Sequence, residues 1–103
     1  MKTRRDAART QLQREHALYE ALLTLKTPTE FRAFFRDLCT PAELQALADR
    51  WKAALLLKQG IPYREIHQRT GVSVTTIGRV ARCLRDGGGY GLALSRLEET
   101  RRG

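Results

Sequence analysis

The 103-residue sequence predicts an all-α chain of about six helices. Three observations predict it. Apolar residues recur at helical spacing, and no segment alternates apolar and polar residues as a half-buried strand does. The same helix-start device occurs twice, at Thr27-Pro28-Thr29-Glu30 and at Thr40-Pro41-Ala42-Glu43. Glycines at Gly60, Gly71 and Gly87–Gly89 supply the breaks between helices.

Residues 1–10 are basic and weakly apolar, and read as a mobile arm or a frayed helix start. Residues 11–99 read as one helical domain, and 100–103 as a loose tail. From about Gln11 the spacing of Leu18, Leu22 and Leu25 predicts the first helix. In the first of the two start signals Thr27 can cap, Pro28 suits the first turn, and Glu30 stands where a capping-box carboxylate reaches back. Phe31, Phe34, Phe35 and Leu38 then share one face. The Pro41–Gln59 helix carries Leu44, Leu47, Ala48, Trp51 and Leu55 in one stripe. Its second half, Ala53 to Leu57, is apolar all round, so it must be covered on more than one side. In so short a chain the second cover is expected to be another subunit. Pro62 opens a short helix with Ile66 facing inward. Ser73 caps the next, whose inner face is Ile77, Val80, Ala81 and Leu84. The last helix runs from about Tyr90 to Glu99 and holds Leu92, Leu94 and Leu97.

Composition narrows the function. Nineteen Lys+Arg against eleven Asp+Glu give a net charge of +8. The charge is uneven: Arg50 to Arg85 holds eight basic residues and one acid, Glu65, for +7, and the rest of the chain carries only +1. One-sided charge over that segment points to a polyanionic partner. The longest apolar run is five residues, far short of the roughly 20 that span a bilayer. The basic N-terminus lacks the apolar stretch of a secretory signal. Two cysteines, Cys39 and Cys83, form neither a disulfide framework nor a four-ligand zinc site. His16 and His67 have no metal-ligand spacing, so no metal is expected. No catalytic constellation is visible, and Gly87-Gly88-Gly89 lacks the Lys-Ser/Thr of a phosphate loop. The expectation is a reduced, cytoplasmic, nucleoid-associated binding protein and not an enzyme.

Residues 62–85 carry the function: a short helix, a glycine turn and a second helix. This is a helix-turn-helix arrangement. Ile66 packs the first helix on the second, Gly71 allows the sharp turn, and Val72 fills the space beneath it. Ser73, Thr75, Thr76, Gly78, Arg79 and Arg82 face outward, with Tyr63 at the start of the unit. Small hydroxyls permit close approach to a major groove, and arginines reach guanine edges or phosphates. Two positions depart from the usual pattern. His67 stands where a small residue is expected, and Thr70 where an apolar one is expected.

Residues Leu38 to Leu84 resemble the Trp repressor family, in particular its YerC/YecD-type branch of small bacterial helix-turn-helix regulators. The resemblance is carried by Phe34-Phe35-Arg36-Asp37-Leu38-Cys39-Thr40, by Ala48-Asp49-Arg50-Trp51, by Ile66 and Gly71 through Val80, and by Arg82-Cys83-Leu84, with the glycine cluster and Tyr90 following. It implies an intertwined homodimer that binds operator DNA as a repressor. It places Thr40, Arg50 and Arg79 at the family's tryptophan pocket. Val80 stands there where the family has a glycine beneath the indole, and Cys83 where it has a serine. Val80 adds bulk where a flat ring would lie, which argues against tryptophan and leaves any small-molecule effector unidentified. On the DNA side the resemblance places Arg64 and His67 at reading or phosphate positions, Thr75, Thr76 and Gly78 in the groove, and Arg85 at the backbone. Arg79 carries two assignments, DNA by general geometry and the effector pocket by resemblance.

Double-stranded DNA and a second copy of the chain are therefore the expected partners, and a membrane is not. Two alternatives share the same pattern: the DNA-recognition module of a recombination or transposition system, and a basic RNA-binding protein.

Overall fold

The computed structural model of the protein describes residues 1 and 3–102. Among them run six helices: α1 (Arg4–Leu23), α2 (Pro28–Leu38), α3 (Pro41–Lys58), α4 (Tyr63–Thr70), α5 (Val74–Arg85) and α6 (Gly89–Arg102). The chain divides into two compact units, Met1–Thr40 and Pro41–Gly103.

In the first unit, α1 begins seven residues before the expected Gln11. The cause is local. Thr3 accepts the Asp6 N–H through Oγ1 at 3.1 Å, and Asp6 accepts the Thr3 N–H at 3.2 Å, a reciprocal capping box. Residues 4–10 of the expected arm are thus helical, and Lys2 lies outside the described residues. Helix α2 starts as the sequence indicated, with the Glu30 N–H on Thr27 Oγ1 at 3.2 Å. The Glu30 carboxylate reaches back one residue further than a capping box requires, to the Lys26 N–H at 2.8 Å. Phe34 and Phe35 meet edge to face at 6.0 Å. Among the described residues of this unit none is buried, and Leu23 and Leu38 are largely exposed.

The second unit holds the core. Helix α3 ends in a Schellman turn: Gly60 takes a positive φ, its N–H bonds Leu57 O at 3.0 Å, and the Ile61 N–H bonds Leu56 O at 3.1 Å. That turn folds Ile61 back against Leu56, and the chain enters α4 through Pro62. Helices α4 and α5 both pack on α3, and α6 packs on α5. Ala53 and Leu56 of α3, Ile66 of α4 and Ile77 of α5 form the buried cluster, flanked by Leu57, Ile61 and Val72. Each large aliphatic side chain buried there contributes roughly 1.5–3 kcal/mol. Ala53, Ala54 and Leu56 are covered within the chain, whereas Leu55 and Leu57 stay half-buried.

Helix α6 continues to Arg102 instead of ending near Glu99. Arg101 and Arg102 lie in its last turn, where cations offset the helix dipole. Gly103 of the expected tail lies outside the described residues. No described helix is long and apolar enough to cross a membrane.

Candidate nucleic-acid interface

Helix α4, the turn at residues 71–73 and helix α5 form the expected helix-turn-helix. Gly71 closes α4 at φ +76°, with its N–H on His67 O at 2.8 Å. Ile66 and Ile77, both fully buried, lock the two helices on Leu56. Ser73 then caps α5: its Oγ accepts the Thr76 N–H at 3.1 Å and donates to Thr76 Oγ1 at 2.9 Å.

The two residues that depart from the usual pattern tie the turn together. Thr70 Oγ1 donates to Ile66 O at 2.7 Å and accepts the Val72 N–H at 3.1 Å. His67 Nδ1 reaches Val72 O at 2.8 Å. A carbonyl oxygen only accepts, so this bond requires the proton on Nδ1. Polar bonds thus do here what apolar packing does in the common pattern. The signal was present, since Thr and His side chains readily bond nearby backbone.

Helix α5 presents three sides. Ile77, Val80 and Ala81 are buried against the core. Thr75, Gly78, Arg82 and Arg85 form a second stripe that adjoins the buried one, at the spacing of one helix face. All are exposed except the half-buried Gly78. A Cβ built on Gly78 meets nothing within 4 Å, so no internal packing demands glycine there. Ser73, Tyr63, Arg64 and His67 are also exposed, on the turn and α4. Arg69 is paired with Glu65 one turn earlier, which offsets part of its charge. Among the described residues Arg64, Arg79, Arg82 and Arg85 have no ion-pair partner.

The third side of α5 borders an open hollow of about 520 Å³ between α3, α5 and the start of α6. Thr76 turns into this hollow and is half-buried, away from the outward stripe in which the sequence placed it. Val80 is 3% exposed and forms part of the wall, with Cys83 more exposed beside it. Arg50 and Arg79 both line the hollow. Arg79 is exposed as well, at the border between hollow and stripe. Four of the five expected effector residues therefore meet there. Thr40 ends the first unit, directly before Pro41.

Asp49 and Tyr90 also line the hollow, although the sequence assigns them no role there. Asp49 adds a carboxylate beside the two guanidinium groups. Tyr90 closes the α6 side, its ring stacked on Trp51 of α3 with centroids 6.2 Å apart and planes at 16°. Asp49 was quoted only as part of a motif, and the position of Tyr90 depends on how the glycine turn folds back.

The chain is similar to known proteins. The family model for Trp repressor protein matches residues 13–98. The YerC protein of Bacillus subtilis strain 168, itself uncharacterised, is 45% identical over 84 residues, 81% of each chain. A TrpR-like protein from Eubacterium eligens has a solved structure with TM-score 0.77 and 38% identity, covering 84% of this chain and 90% of that one. A Staphylococcus aureus structure described as a candidate Trp repressor gives TM-score 0.76 and 40% identity, over 84% of this chain and 87% of the other. The chain is a member of the Trp repressor family, of the YerC type.

Proposed function

We propose that the protein is a sequence-specific transcriptional repressor that binds a pseudo-palindromic operator as a homodimer. The observation that carries this reading is the outward side of α5: Thr75, Gly78, Arg82 and Arg85 in one stripe, with a glycine at its centre that packing does not require. Glycine inside a helix costs about 1 kcal/mol relative to alanine, and close approach to a groove offsets that cost. In this reading Arg64, Thr75, Gly78 and Arg82 meet base edges, while Ser73, Arg85 and Tyr63 position the helix on phosphates. His67, with its proton held on Nδ1, offers Nε2 to a base amino group. Arg79 serves the hollow first and reaches the DNA from its border.

The homodimer is supported by the first unit. Its helices carry Leu18, Leu22, Phe31, Phe34 and Leu38, yet none of these is buried within the chain. A second copy would cover them and the half-buried stripe of α3. Two-fold symmetry then sets the half-sites about 34 Å apart. Such a protein resides with the nucleoid in the cytoplasm.

The hollow supports a small-molecule effector as an added feature of the same reading. Its volume of about 520 Å³ lies in the range of ligand sites, and Arg50 and Arg79 favour an anionic group. Val80 occupies space that a flat indole would need. A competition titration of duplex DNA against structured RNA tests the nucleic-acid class, and footprinting on genomic DNA tests specificity. The reading expects a protected symmetric site and weaker RNA binding. RNA winning the competition would overturn it, as would protection without sequence preference. Footprints confined to the ends of a mobile element would favour a recombination module.

A further inference from the structure

We infer that Tyr90 is the positioning residue of the reading helix: its stack on Trp51 fixes the tilt of α5 against α3. The inference rests on the DNA-reading function proposed above.

Helix α5 is held unevenly. Near its start Ile77 is fully buried in the cluster with Leu56 and Ile66. Burial continues to Ala81 and then stops: Arg82, Cys83 and Arg85 are exposed and Leu84 is half-buried. The helix is held through its middle, by Ile77, Val80 and Ala81, and its last turn is held less. From Ile77 to Arg85 it runs about 12 Å, so a tilt of about 10° about Ile77 moves that end by about 2 Å. That displacement is more than half of one base step, about 3.4 Å.

The far end has one further tie. After Arg85 the chain reverses through Gly87 and Gly88, whose N–H groups bond Leu84 O at 3.4 Å and Cys83 O at 3.5 Å. This turn delivers Tyr90, the second residue of α6, onto Trp51 of α3. The ring is a partition. On one side lies the hollow lined by Arg50 and Arg79, and on the other a second hollow of about 500 Å³ lined by Trp51, Cys83 and Asp86. The stack on Trp51 is the ring contact that ties the start of α6 to α3. Tyr90 therefore couples the end of α5 to α3. In the proposed homodimer that coupling sets the separation of the two reading helices.

The test compares the full-length protein with Tyr90→Phe and Tyr90→Leu. Each is titrated with a duplex selected by the unaltered protein and with a scrambled duplex, at one salt concentration. Trp51 is the sole tryptophan, so its emission reports the stack directly. Tyr90→Phe should match the unaltered protein on both duplexes. Tyr90→Leu should lose about tenfold on the selected duplex, as loss of an aromatic pair allows, and stay within about twofold on the scrambled one. Its Trp51 emission should shift while helicity is kept. It should also tolerate half-sites moved by one base pair better than the unaltered protein does. Unchanged specific affinity in Tyr90→Leu overturns the inference, and so does an equal loss on both duplexes. If Tyr90→Leu loses helicity, Tyr90→Met is read by the same ratio. If the unaltered protein prefers no duplex, the proposed function itself fails and the positioning role falls with it.

Discussion

The imidazole Nδ1 of His67 lies 2.8 Å from the carbonyl oxygen of Val72, joining α4 to the turn that precedes α5. With the Thr70 hydroxyl on Ile66 O and the Val72 N–H, it gives the turn three side-chain bonds. The turn is therefore set by hydrogen bonds as well as by Gly71.

That bond makes His67→Ala a stability variant before it is a binding variant. Loss of one such bond costs about 0.5–1.5 kcal/mol. Chemical denaturation should show a loss of that size. In the intact protein at a pH where the ring is neutral, the imidazole nitrogen spectrum should place the proton on Nδ1. A proton on Nε2 would contradict the bond.

Gly78→Ala should separate stability from binding. A Cβ at that position meets open space, so alanine raises helix stability by up to about 1 kcal/mol. The same methyl group projects from the outward stripe and should weaken binding to the selected duplex. Higher thermal stability with unchanged affinity would remove Gly78 from the interface.

Arg64→Ala and Arg82→Ala should each weaken specific binding by about 1–3 kcal/mol where they touch base edges, with relaxed preference at one position. Equal loss on every sequence with a shallower salt dependence would make them phosphate anchors instead. Arg69→Ala should change binding less, because Glu65 already engages that guanidinium.

The melting temperature should rise with protein concentration, because an obligate dimer is stabilised by mass action. The uncovered apolar residues of α1 and α2 motivate this expectation. A concentration-independent transition, with a monomer in sedimentation, would contradict the homodimer.

Much of the fold was legible because its signals are local. The Thr27 cap, the Gly60 stop, the Gly71 turn and the Ser73 cap each depend on a few adjacent residues. The start of α1 was also written locally, in Thr3 and Asp6, but the surrounding arginines masked it. The sides of α5 were harder to read. Periodicity separates buried from unburied, yet it does not divide the unburied positions between a hollow and an open surface. Thr76, expected on the open surface, lines the hollow. Tyr90 was beyond reach for a different reason: its partner Trp51 lies thirty-nine residues earlier, and only the folded turn brings them together. Val80 and Cys83 line the hollow with Arg50 and Arg79, four residues that the family resemblance groups together.

Selection of duplexes from a random DNA pool by the full-length protein tests the central claim most directly. The account predicts enrichment of an inverted repeat whose half-sites lie about one helical turn apart. Enrichment of no motif, or of an asymmetric one bound by a single chain, would contradict it.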